Sequence, residues 1–96
     1  MKEPCVYIIT NKPNGILYIG VTSNLPQRIF QHQQGTFEGF SKKYDLKMLV
    51  WYEFFDSMDS AIAQEKRMKE WNRAWKVKRI LEMNPQWDDL SLALNT

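Results

Sequence analysis

The chain has 96 residues, 44% of them hydrophobic and 25% charged, which suits one modest hydrophobic core, so we expect a single domain with no second unit. A net charge of +2 does not by itself mark a nucleic-acid binder, and one histidine with one cysteine excludes a structural zinc site of the usual four-ligand kind. No apolar run reaches membrane-spanning length, Met1-Lys2-Glu3-Pro4 lacks the hydrophobic stretch of a secretion signal, and Cys5 has no partner for an internal disulfide, so a reducing, cytoplasmic location without a membrane is expected.

The first predicted element is a hairpin. Cys5-Val6-Tyr7-Ile8 and Tyr18-Ile19-Gly20 are rich in β-branched and aromatic residues and flank Asn11-Lys12-Pro13-Asn14-Gly15, a cluster of turn formers. If Thr10 and Gly15 close the turn, Ile9 faces Ile16 and Tyr7 faces Tyr18, so both phenols leave the same side of the sheet. Tyrosines also fill strands as ordinary amphipathic core residues. Cys5 reads as a small buried thiol.

Thr22-Ser23-Asn24 then supplies caps for a helix that opens at Leu25-Pro26, runs through His32 and ends near Gly35. The stretch from Thr36 to Tyr44, with Gly39, Ser41 and the Lys42-Lys43 pair, lacks either periodicity and reads as a loop able to reach a ligand. Leu46 to Phe55 predicts a third strand, long and apolar enough to lie centrally in a sheet. Cap candidates at Asp56 to Ser60 introduce a helix over Ala61 to Trp71, a break near Asn72 and a second helical run to Met83, stopped by Asn84-Pro85. The body thus spans about 3–83. The tail, 84–96, carries Trp87, Leu90, Leu92 and Leu94 and should pack a last short helix against it.

Charge is unevenly spread. Between Ser60 and Ile80, Lys66, Arg67, Lys69, Arg73, Lys76, Lys78 and Arg79 stand against only Glu65 and Glu70, with Trp71 and Trp75 among them. A solvated helix face produces such runs; basic residues interleaved with indoles also suit a polyanion. In the first helix Arg28 and His32 are four apart and share a face with Leu25 and Ile29. In the later helix Ala61, Glu65, Met68 and Asn72 follow the spacing of one stripe, which sets Glu65 on an apolar face. A carboxylate there needs a partner: a metal, an acid-base role or a salt bridge to Arg28 would each serve. One carboxylate with waters and phosphate oxygens suits Mg²⁺ or Mn²⁺.

Taken together, Cys5-Val6-Tyr7, Tyr18-Ile19-Gly20, Arg28 on the next helix and Glu65 on a later one resemble the GIY-YIG nuclease superfamily in order and spacing. The first triplet departs from the family name but keeps its tyrosine. The resemblance spans essentially the whole chain, and Trp71-Asn72-Arg73 with Asn84-Pro85-Gln86-Trp87 is similar to the small one-domain bacterial members. It implies an α+β fold, a three-stranded antiparallel sheet flanked by helices, and an endonuclease acting on DNA. Carried over by position, Tyr7 and Tyr18 orient and deprotonate the attacking water, Arg28 contacts the scissile phosphate, and Glu65 holds one divalent ion. His32 matches a position that is histidine or tyrosine in relatives and joins the catalytic set. Gly20, Lys42, Lys43, Lys66, Lys69, Asn72 and Arg73 are the candidate substrate contacts; Asn72 follows the glutamate at a shorter interval than the asparagine of larger members.

Without a module for reading base sequence, the chain is expected to prefer DNA structure, such as branched or nicked duplexes, in repair or recombination, with a protein partner adding specificity. Two alternatives stay open: a non-catalytic nucleic-acid-binding module in which basic residues hold phosphates and rings stack on bases, and a small domain whose aromatics serve a protein partner.

Overall fold

Three antiparallel strands, β1 (Cys5–Thr10), β2 (Leu17–Thr22) and β3 (Met48–Phe54), form a sheet ordered β2-β1-β3 in a computed structural model that describes residues 3–35 and 39–95. Helices α1 (Leu25–Gln33), α2 (Phe40–Lys43), α3 (Met58–Glu70) and α4 (Arg73–Met83) and a closing 3₁₀ helix (Leu90–Asn95) flank it, giving the α+β architecture expected. The chain start at 1–2, the loop portion at 36–38 and the last residue, 96, lie outside the described residues.

The central strand is β1, all six of whose residues are buried, and not β3 as its apolar length suggested. The tail accounts for the difference by covering the outer edge of β3. Asp89 Oδ1 accepts from the Leu49 amide at 3.2 Å, and Asn84 Nδ2 donates to the Val50 carbonyl at 3.2 Å. An edge covered in this way tolerates a strand as apolar as a central one. A register shift at Ile8/Ile9 also marks a β-bulge that sends the consecutive residues Val50 and Trp51 to the same face.

The hairpin register differs from the expected one by two residues. Thr10 pairs with Leu17, Ile9 with Tyr18 and Tyr7 with Gly20, in place of Ile9 with Ile16 and Tyr7 with Tyr18. The cause is local: Asn11 Oδ1 accepts from the Ile16 amide at 3.0 Å, and Gly15 N–H bonds the Lys12 carbonyl at 2.9 Å, so the side chain of Asn11 replaces a ladder bond and the turn is longer. Because side chains alternate with period two, a two-residue slip keeps every face. Tyr7 and Tyr18 remain on one side, now as diagonal neighbours.

Caps set the helices. Asn24 accepts from Gln27 N–H ahead of Leu25-Pro26, Ser57 accepts from Ser60 N–H, and Asn72 accepts from Trp75 N–H at 2.9 Å. Asn72 therefore opens α4 and does not extend the α3 stripe as predicted. The expected loop contains one helical turn, α2, beginning at Phe40. On one side of the sheet Val6, Ile8, Ile19, Val50 and Trp51 pack against Ala61 and Met68 of α3 and Ile80 of α4. On the other, Cys5, Tyr7, Ile9 and Leu49 pack with Leu25 and Ile29 of α1, and Leu90 and Leu94 of the closing helix add to them, whereas Leu92 is 76% exposed.

Candidate active site

Tyr7 stands on the central strand with its cross-strand partner Gly20 beneath its ring. A Cβ built on Gly20 would run into the Tyr7 phenol, with Cε1 at 2.8 Å and Cζ and the hydroxyl nearer still. Only glycine lets the ring lie down across β2, so Gly20 has a steric reason to close the Tyr18-Ile19-Gly20 triplet. The Tyr7 hydroxyl reaches His32 Nε2 at 2.9 Å. Leu25, Ile29 and His32 are the buried stripe of α1, so the packing that seats the helix also seats the imidazole. The Tyr18 ring lies edge-on to His32 at 5.9 Å between centroids and stacks on Phe40 at 6.3 Å. His32 Nδ1 meets Ser41 Oγ, on α2, at 3.1 Å.

Arg28, one position before Ile29, brings a positive charge that is felt at both Tyr7 and His32. Glu65 arrives from α3, which packs on β1 and β2. Its charge is felt at Tyr7, and it pairs with Lys69 Nζ at 3.3 Å; its side chain is 14% exposed. The Lys69 ammonium lies 5.9 Å from the centre of the Tyr18 ring. The structure thus brings Tyr7, Tyr18, Arg28, His32 and Glu65 together, with Lys69 beside them.

Burial pushes the Tyr7 hydroxyl up to about 12; Arg28 pulls it down, and the neighbouring Tyr18 and the Glu65 carboxylate push it up. Desolvation thus outweighs the guanidinium at this phenol. Burial and Arg28 both push His32 down, to about 4. Near neutral pH the site holds a neutral phenol against a neutral imidazole. Cys5, fully buried, is pushed up to about 12 by burial and is the inert thiol expected.

The remaining candidates are spread more widely. Lys42 and Lys43 are exposed on α2, next to Ser41. Lys66 is exposed on α3. Arg73 is engaged with the hairpin turn, its Nη2 donating to the Asn14 carbonyl at 2.9 Å and the Gly15 carbonyl at 2.7 Å. Asn72 has its capping bond. Ser41 escaped the sequence reading: it lies in a segment without periodicity, nine residues from His32, and no spacing rule connects the two.

Among the described residues no three of histidine, cysteine, aspartate and glutamate gather as a metal-binding group. Glu65 nevertheless fits a hard divalent ion that keeps most of its waters and takes one protein carboxylate, while the absence of a nearby thiolate gives a soft metal nothing to hold.

The chain belongs to the GIY-YIG nuclease family: the family model described as the GIY-YIG catalytic domain matches residues 3–79. Two of its relatives are matched almost end to end. It is 35% identical over 82 residues to the UPF0213 protein SH2523 of Staphylococcus haemolyticus, covering 85% of this chain and 99% of that one. A UPF0213 protein of Staphylococcus saprophyticus is 32% identical over 82 residues, with the same coverage of 85% and 99%. The solution NMR structure of a UPF0213 protein from Bacillus halodurans superimposes with a TM-score of 0.56 at 23% identity, covering 91% of this chain and 92% of that one, which shows a shared fold. No helix among the described residues is long and apolar enough to cross a membrane.

Proposed function

We propose that the protein is a divalent-metal-dependent endonuclease that hydrolyses DNA phosphodiester bonds at the Tyr7 site. The observation that carries this reading is the Tyr7 hydroxyl, bonded to His32 and within the fields of Arg28 and Glu65, in a chain of a nuclease family.

Hydrolysis needs an oriented water, a sink for its proton, and positive charge against the phosphoryl oxygens. A phenol pushed up to about 12 is not a standing base near neutral pH, so Tyr7 acts as a relay. It takes the water's proton on its oxygen as its own proton crosses 2.9 Å to His32 Nε2. Tyr7 is shielded from solvent, and Arg28 is a partly buried cation whose charge reaches it. A phosphate drawing the guanidinium outward would uncover the phenol and remove one of the two effects that weaken His32 as a base. Tyr18, partly exposed, flanks the water on the same face. Glu65 would hold the ion, Mg²⁺ or Mn²⁺, with Lys69 displaced from the carboxylate; once bound, the ion supplies Lewis-acid stabilisation of the departing sugar oxygen. Lys42, Lys43 and Lys66 are exposed, which suits phosphate contacts on either side of the site.

DNA structure is the expected basis of selectivity, with branched, flapped and nicked duplexes as first substrates. Cleavage of such a panel in Mg²⁺ or Mn²⁺ tests the assignment, and loss of cleavage in Glu65→Ala with unchanged folding is the expected control. A second reading rests on a cleft of about 310 Å³ lined by Trp71, Trp75, Lys78, Arg79 and Glu82. Trp75 is 59% exposed there and could stack on a base. Salt-sensitive binding without cleavage of any substrate would favour this non-catalytic role.

A further inference from the structure

We propose that Ser41 is a positioning residue that holds the lone histidine in the Nδ1–H tautomer, so that Nε2 stays unprotonated and faces the Tyr7 hydroxyl as an acceptor. The inference rests on the nuclease reading for its catalytic consequence and on the two hydroxyl contacts of His32 for the tautomer.

The two ring nitrogens of His32 each meet a hydroxyl, Tyr7 at 2.9 Å and Ser41 at 3.1 Å, and hydroxyls donate or accept. Acidity breaks that symmetry. A phenol is more acidic than an aliphatic hydroxyl, hence the stronger donor and the weaker acceptor, so Tyr7 turns its proton to His32 Nε2 and Ser41 Oγ is left to accept. A neutral imidazole accepting at Nε2 carries its hydrogen at Nδ1, and the group positioned to accept that hydrogen is Ser41 Oγ. Every buried side-chain nitrogen and oxygen among the described residues has a partner, so the chain Tyr7 to His32 to Ser41 runs in one direction without an orphan.

Ser41 has no competing local task. It is 8% exposed in a single helical turn capped by Gly39 without any side-chain bond, so its hydroxyl is not needed to start α2. Its backbone carbonyl takes the Leu46 amide at 2.9 Å and holds the turn whatever the side chain. The same turn carries Lys42 and Lys43, so the segment that offers cations to a substrate also fixes the proton of the imidazole behind the phenol.

One histidine in the chain makes the test unambiguous. Imidazole ¹⁵N spectra of the ¹⁵N-labelled full chain at neutral pH report which nitrogen bears hydrogen, and cleavage kinetics on a nicked or branched duplex with Mg²⁺ report the consequence. The wild type should show hydrogen on Nδ1 alone. Ser41→Ala should lose the single pattern and about 10-fold in kcat with little change in KM, and Ser41→Thr, which restores a hydroxyl, should recover both. Hydrogen on Nε2 in the wild type overturns the proposal even if Ser41→Ala fails to fold, and so does an unchanged Nδ1–H pattern in Ser41→Ala. A wild type that cleaves nothing but shows the Nδ1–H pattern, lost in Ser41→Ala, defeats the nuclease reading and leaves the positioning role standing.

Discussion

On one face of the sheet Val6, Ile8 and Trp51 meet Ala61, Met68 and Ile80, and the groups in contact are hydrocarbon, thioether and indole. On the other, Tyr7, Ile9 and Leu49 share their space with a buried imidazole and a buried serine hydroxyl. The first face asks of its residues volume and apolarity, which many side chains supply. The second asks for particular atoms at particular distances, since a neutral imidazole and a neutral phenol are stable there only while each satisfies the other. Stability should therefore reside in the first face without much influence on turnover, and turnover in the second.

The sharpest way to break this contrast is Tyr7→Phe. It keeps the ring over Gly20 and removes the oxygen, so cleavage should fall by about 10²–10⁴-fold, the usual worth of a positioned proton-transfer group. Leaving His32 Nε2 unpaired should cost about 1–3 kcal/mol in a denaturant titration. Met68→Ala, on the opposite face, should show the reverse pattern: about 2–5 kcal/mol of stability lost to a cavity, with kcat per folded molecule unchanged. A similar loss of rate in both variants would erase the distinction.

Acid separates the faces without mutation. His32 is pushed down to about 4 from an unfolded value near 6.5, so the unfolded chain binds the extra proton first as pH falls. Its contribution is present above about pH 6.5 and is lost toward pH 4, by up to about 3 kcal/mol. Thermal unfolding followed between pH 7 and 4 should show this decline, and His32→Gln should flatten it. Smaller still, Gly20→Ala should cost about 1–3 kcal/mol by pressing a methyl group into the Tyr7 ring, with a fall in cleavage out of proportion to that loss.

The apolar face was readable because periodicity is a sum over many residues. The strands, the α1 stripe of Leu25, Ile29 and His32, and the break between α3 and α4 all follow from spacing and caps. The catalytic candidates were readable as residue types in order, and the two-residue slip of the hairpin did no harm to them because it preserves faces. What escaped depends on contacts between remote segments. The edge position of β3 required knowing that Asn84 and Asp89 would cover its outer ladder. The raised Tyr7 hydroxyl required knowing how deeply β1 is buried, and the Ser41 contact joins a helix to a stretch with no pattern of its own.

Most direct of all is cleavage of a nicked or branched duplex in Mg²⁺ by the wild type and by Glu65→Gln, a change that keeps the shape of the side chain and removes its charge. Robust cleavage by the first and a loss of at least about 10²-fold in the second, with both folded, is the expected result. Equal cleavage by the two proteins would contradict a site in which the carboxylate of α3 works beside the phenol of β1.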